Sequence, residues 1–243
     1  MIDSLLLSAT RIATFDHQWP LTNASGFFFE RGDRLFVVTS RHVLVDRPTG
    51  HVPNRIEIEV HTSETDLTQA TRLSLLLYRD GQSTWRQGTD AGGEIDLAMI
   101  ELDRSVLPDA TVLRAFTPGH LLRSLGGVEV GTSVLIVGFP LGFHDTVHHL
   151  PVVRQSVIAS AFGVRFQGKG FFLTDARTHH GTSGAPVVLR DHHGAAEHSE
   201  LPWKLLGVHS AKMDMTGRDG SQDESLGLNC TWYADMLMTL SER

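Results

Sequence analysis

The chain is poor in cysteine: Cys230 stands alone among 243 residues. One cysteine cannot close an internal disulfide, so the fold does not rest on such a staple, and the usage fits a reducing compartment. Positive charge is also short, with 21 Lys and Arg against 28 Asp and Glu and a formal net charge of -7. The Lys and Arg are scattered, with no basic run interleaved with aromatics, so no nucleic-acid partner is expected. Long apolar runs are missing too. No stretch approaches the roughly 20 residues that span a bilayer, so no membrane partner is expected. The start, MIDSLLLSATRIATF, has an acidic residue at Asp3 and no basic segment. Its apolar run, Leu5 to Leu7, is too short for a secretory leader. The expected location is cytoplasmic. Long helical periodicity is nearly absent, which argues against a bundle.

What is present is a series of short apolar runs between turn residues. Strands are predicted over Arg34–Thr39, Ile56–Val60, Thr71–Leu77, Ile95–Glu101, Ser133–Phe139, Val152–Ala161, Gly170–Thr174, Pro186–Leu189 and Trp203–His209. Many of their residues are β-branched or aromatic, and most runs are bounded by Gly, Pro, Asp or Asn. Near the end, Trp232, Met236, Leu237 and Leu240 fit one apolar face of a terminal helix. Many short strands and one helix predict an all-β barrel or sandwich architecture. A seam is expected from Pro108 to Gly131, where Pro, Gly and polar residues separate two strand-rich halves.

Three segments carry reactive groups. Gly181-Thr182-Ser183-Gly184-Ala185-Pro186 places a serine between glycines. A nucleophilic serine must project from a tight turn, and glycine permits backbone conformations closed to other residues. Amides near Gly181 and Ser183 can then bind the oxyanion formed when the serine attacks a carbonyl. The alternative is an ordinary Gly-Ser turn. In Phe36-Val37-Val38-Thr39-Ser40-Arg41-His42-Val43-Leu44 a histidine follows an apolar strand, where an imidazole can serve as general base; the alternative is a half-buried histidine with a satisfied hydrogen bond. In Glu94-Ile95-Asp96-Leu97-Ala98 an aspartate opens an apolar strand. A carboxylate there is costly unless paired, and a histidine N–H is a natural partner that also fixes the tautomer a base needs. The alternative is an aspartate facing solvent or capping a turn. The three residues, 54 and 87 positions apart, occur in the order His, Asp, Ser, one of the orders known for catalytic triads. The spacing puts His42 and Asp96 in the first half and Ser183 in the second.

Taken with Ala24-Ser25-Gly26-Phe27-Phe28, Val137-Gly138-Phe139-Pro140-Leu141-Gly142 and Thr174-Asp175-Ala176, these segments resemble the trypsin-like, chymotrypsin-fold serine peptidases. The likeness is greatest to their disulfide-free bacterial branch near the HtrA-type proteases, and it covers about residues 24 to 210. The resemblance implies two packed six-stranded antiparallel β-barrels with a short C-terminal helix. Residues 1–115 would carry His42 and Asp96, and residues 116–243 Ser183 and the substrate pocket. It also implies a serine endopeptidase acting on protein or peptide through an acyl-enzyme, with the Gly181 and Ser183 amides as oxyanion hole. No cofactor is implied. Rival expectations are an esterase-type hydrolase and a catalytically silent module that binds a dedicated partner; a regulatory protein partner is also expected.

Where many relatives read Gly-Asp-Ser-Gly-Gly-Pro, this chain has Thr182 and Ala185. Thr182 cannot pair with a newly cut N-terminal amine, so no activation by N-terminal cleavage is expected. The resemblance places the substrate pocket around Arg177 to His180, the Leu206–Lys212 strand and a later strand near Leu226–Asn229. Thr178 and His209 are similar to a Thr and Gly-x-His pair that binds Glu or Gln side chains in glutamyl endopeptidases and viral 3C-like proteases. Lys212, with Arg177, would add positive potential, and Ser210 matches a position that hydrogen-bonds the triad aspartate. Among the other histidines, His144 and His148 have the i, i+4 spacing of a helical metal pair. Gly142 and Pro151 flank them and His149, however, and His192, His193 and His198 sit in a polar run, so no metal is expected.

Overall fold

The computed structural model describes residues 2–124, 126–191, 200–213 and 227–242, apart from the Lys212 side chain. The first half contains β1 (Ala9–Asp16), β2 (Trp19–Arg31), β3 (Arg34–Thr39), the one-turn helix α1 (Arg41–Leu44), β4 (Arg55–His61) and β5 (Ala70–Leu76). Two short ribbons follow, β6 (Tyr78–Arg79) with β7 (Gln82–Ser83) and β9 (Thr89–Asp90) with β10 (Gly93–Glu94), together with β8 (Trp85–Arg86) and β11 (Ala98–Leu102). The second half contains β12 (Ser133–Gly138), β13 (Val152–Ile158), β14 (Phe171–Asp175), β15 (Pro186–Arg190), β16 (Trp203–Lys212), β17 (Leu228–Tyr233) and the helix α2 (Met236–Glu242).

The second half closes into a six-stranded barrel in the order β12-β13-β14-β17-β16-β15. The first half is a curled seven-stranded sheet, β5-β4-β1-β2-β3-β11-β8, whose two edge strands do not pair with each other. The molecule is thus all-β and chymotrypsin-like, with one closed barrel and one half-barrel.

Side chains alternate between the two faces of a strand, and in β3 and β12 both faces are covered. Along β3, Leu35 and Val37 enter the core of the first sheet, while Phe36 and Val38 enter a second core shared with the barrel. Along β12, Val134 and Ile136 fill the barrel and Val137 joins the shared core. Burial on both faces explains why these strands read as unbroken apolar runs rather than alternating ones. Leu237 and Leu240 of α2 cap the shared core, and Arg31 and Arg34 hold the helix by donating to the Met238 and Ser241 carbonyls. Trp232, expected on the face of that helix, belongs to β17 instead, where it pairs with Phe171.

Candidate active site

Register brings His42 and Asp96 together. Ala98 of β11 lies opposite Thr39 of β3 in an antiparallel pair. His42 follows Thr39 by three residues and Asp96 precedes Ala98 by two, so both emerge at the same end of the sheet. Asp96 lies ahead of the strand, not on it as the sequence predicted, because β11 begins at Ala98. His42 Nδ1 is 2.7 Å from Asp96 Oδ2, and the His42 backbone N–H donates to Asp96 Oδ1 at 2.9 Å. The Ser210 hydroxyl also donates to Oδ2. Burial works against the charged imidazolium, but the hydrogen bond and charge of Asp96 outweigh it and hold the His42 pKa above its ordinary value. Burial likewise disfavours the Asp96 carboxylate. The His42 and Ser210 hydrogen bonds overcome this and leave Asp96 more acidic than usual.

Ser183 arrives from the other half, on the turn before β15. Ser25 of β2, fully buried, ties this turn across the interface. Its N–H donates to the Ser183 carbonyl at 2.9 Å, and its hydroxyl donates to the Gly181 carbonyl at 2.7 Å and accepts from the Phe139 N–H at 2.9 Å. Both flanking glycines are required. Gly181 has φ +89°, and a Cβ there would sit 2.6 Å from the Phe139 carbonyl oxygen. Gly184 has φ +87°, and a Cβ would collide with the Ser25 carbonyl and Thr39.

The His180 carbonyl accepts from the Leu141 N–H at 2.5 Å. The peptide bond is trans, so the Gly181 N–H points the opposite way. Among the described residues neither that N–H nor the one of Ser183 has an acceptor. Two backbone donors are therefore free beside the serine hydroxyl. That hydroxyl donates to the Ser210 carbonyl at 2.8 Å, and among the described residues it makes no hydrogen bond to His42. Ser210, expected among the pocket residues and as a hydrogen-bond partner of the aspartate, thus contacts Asp96 and also Ser183.

The cleft has a volume of about 820 Å³ and is lined from both halves, by Leu21, Asn23, His42 and His51 on one side and by Thr178, His180, Ser183 and His209 on the other. Thr178 and His209 are both buried. The Thr178 hydroxyl donates to Asn229 Oδ1 at 2.5 Å, and the Asn229 amide donates to the Ala176 carbonyl at 2.8 Å. Burial drives the His209 pKa down to about 3, with the nearby His42 adding to the effect, so this imidazole is neutral at physiological pH. Its Nδ1 is buried without a partner among the described residues. The Lys212 side chain and the histidines at 192, 193 and 198 lie outside the described residues. His148 turns to Asp145, 2.7 Å away, rather than sharing a site with His144. Burial pushes the Cys230 thiol up to about 11, which keeps it protonated and unreactive.

Sequence reasoning missed Ser25 as a clamp and Leu141 as the amide that orients His180. Their sole local signals are small residues ahead of an aromatic run and a Gly-Phe-Pro-Leu-Gly turn.

No curated protein matches the chain. Among solved structures, the serine endoprotease from Yersinia pestis superposes with a TM-score of 0.58 at 16% identity, over 98% of this chain and 62% of that one. The chain therefore spans less than two thirds of that protein, and the likeness is one of fold. The family model for the trypsin-like peptidase domain matches residues 24–195, more than half of the sequence, and the chain belongs to this family of serine-type peptidases.

Proposed function

We propose that the chain is a serine endopeptidase working by acyl transfer, with Ser183 as nucleophile, His42 as base and Asp96 as the group that orients it. The observation that carries this reading is the pair of N–H groups, Gly181 and Ser183, that lack an acceptor among the described residues, beside a serine that lines the same cleft as a carboxylate-held histidine. In the first step the Ser183 hydroxyl leaves the Ser210 carbonyl, gives its proton to His42 Nε2 and attacks the peptide carbonyl. The two amides bind the resulting oxyanion. His42 then protonates the leaving amine, and water repeats the sequence on the acyl-enzyme. The Asp96 hydrogen bond holds the Nδ1 proton in place, so that Nε2 is the basic nitrogen.

For the side chain before the cut, we propose Gln ahead of Glu. The Thr178 proton is already committed to Asn229, which leaves neutral His209 as the donor in that wall. A neutral donor can satisfy an amide oxygen, whereas burying a carboxylate against it costs far more.

The test compares full-length wild type with Ser183→Ala, without proteolytic trimming, by active-serine phosphonate labelling and by peptide-library cleavage. Wild type labels directly and cleaves peptides, and Ser183→Ala does neither. Labelling with ester but no peptide turnover would replace the endopeptidase with an esterase-type hydrolase. Absence of labelling would replace it with a binding module, and labelling only after trimming would restore a zymogen step despite Thr182.

A further inference from the structure

Away from the cleft, the segment joining β12 to β13 folds back onto β4 of the first sheet. There the ligand atoms of Glu59, His144 and His149 all lie within 4.8 Å of one another. We propose that these three side chains form a binding site for a divalent transition metal of the Zn²⁺ type, which fastens residues 140–151 to β4.

Each residue is prepared for that role. The Glu59 side chain is only 8% exposed. Its Oε1 is held by Arg11 at 3.0 Å and Arg72 at 2.9 Å, while Oε2, with a long contact of 3.5 Å from Arg11, is the oxygen nearest His149. Burial alone would favour the protonated acid, but the two guanidinium groups keep Glu59 ionised. His144 Nδ1 lies 2.7 Å from the Gly142 carbonyl. A carbonyl can only accept, so Nδ1 carries the proton and Nε2 presents its lone pair, the second-sphere arrangement usual for a metal-bound histidine.

His149 supplies the independent sign of a missing ligand. Its Nδ1 is shielded from solvent and has no hydrogen-bond partner among the described residues. The nearest carboxylate oxygen, Glu59 Oε2, is 3.7 Å away, beyond hydrogen-bond reach. The residue also holds φ +55°, a left-handed conformation uncommon outside glycine. Ligand atoms around tetrahedral zinc, with bonds of about 2.0–2.1 Å, stand roughly 3.3 Å apart. Closing the present spread requires side-chain movements of about 1 Å. Two imidazoles and one carboxylate suit Zn²⁺, Co²⁺ or Ni²⁺ better than Mg²⁺ or Ca²⁺, which prefer all-oxygen sets.

The segment so fastened includes Leu141, whose N–H holds the His180 carbonyl. A consequence for the oxyanion amides rests on the function proposed above; metal binding itself does not, so the two readings can fail separately.

The experiment is equilibrium dialysis of the metal-stripped full chain against Zn²⁺ near neutral pH, with hydrogen exchange measured on the same samples. One equivalent binds at micromolar concentration, it binds equally to His42→Ala and His148→Ala, and it slows exchange in residues 141–150. His144→Gln and His149→Asn each weaken binding about tenfold or more. Circular dichroism checks that both variants fold, and the wild-type exchange pattern locates the site should either fail. No binding at micromolar Zn²⁺, loss of binding in His42→Ala, or protection confined to the cleft would overturn the proposal.

Discussion

Replacing Ser25 with alanine isolates the clamp between the two halves. The substitution leaves the backbone bond to the Ser183 carbonyl in place and deletes only the hydroxyl. Two buried groups then lose their partner, the Gly181 carbonyl oxygen at 2.7 Å and the Phe139 N–H at 2.9 Å. Each unsatisfied buried group costs about 1–3 kcal/mol. The two costs sum to about 2–6 kcal/mol, and partial relaxation of the turn brings the expected loss to about 2–4 kcal/mol. For a chain of this length, about 2–4 °C of Tm follows each kcal/mol, giving a fall of roughly 5–15 °C. The same change frees the Gly181 peptide next to the oxyanion donors. Removing such a donor outright costs about 10²–10³ in rate; loosening its support should slow phosphonate labelling about tenfold to a hundredfold, measured well below the lowered Tm. A Tm within 2 °C of wild type would refute the energetic reasoning. A lowered Tm with an unchanged labelling rate would reduce Ser25 to a structural residue.

Asp96→Asn should lower kcat/KM by about 10³–10⁴, because the histidine loses both its tautomer and its counter-charge. In wild type the acid limb of the pH–rate profile falls at His42, whose pKa lies above its ordinary value; in the variant that limb moves to lower pH. An unmoved limb would contradict the assignment. His209 gives a stability prediction. Its folded pKa, about 3, is below the ordinary 6.5, so the unfolded chain binds the extra proton as pH falls between those values. The contribution is complete above pH 6.5 and drains away toward pH 3. Between pH 7 and 5 wild type should lose about 2 kcal/mol relative to His209→Gln, at about 1.36 kcal/mol per pH unit. Parallel urea titrations at the two pH values would reveal it, and equal losses in both proteins would place the imidazole in contact with water.

The sequence was most readable where burial is two-sided. Leu35 to Val38 and Val134 to Val137 are continuous apolar runs because each strand serves two cores. It was least readable at β1 and β2, which had no place among the expected strands: β2 opens with five exposed residues, Trp19 to Asn23, and no alternation marks them. At β17 the pattern misled, since the aromatic Trp232 fits a helical face as well as a strand. Within the candidate site, Ser183, His42 and Asp96 could be singled out because the types and order of such groups are constrained by chemistry. Ser25 was not, because its partners lie 156 and 114 positions away and nothing local distinguishes its hydroxyl from any other. The Glu59–His149 meeting was hidden for the same reason, and the i, i+4 spacing pointed to His148, which Asp145 occupies instead.

The core between the halves has a further consequence. Phe27, Phe36 and Val38 from one side and Val137, Val208 and Trp232 from the other form one apolar cluster that neither half can cover alone. The chain is therefore not two soluble parts joined by a linker. A cut between Leu102 and Ser133 would release fragments whose sticky faces are each other's only complement, so the pieces should precipitate when separate and regain the fold when mixed.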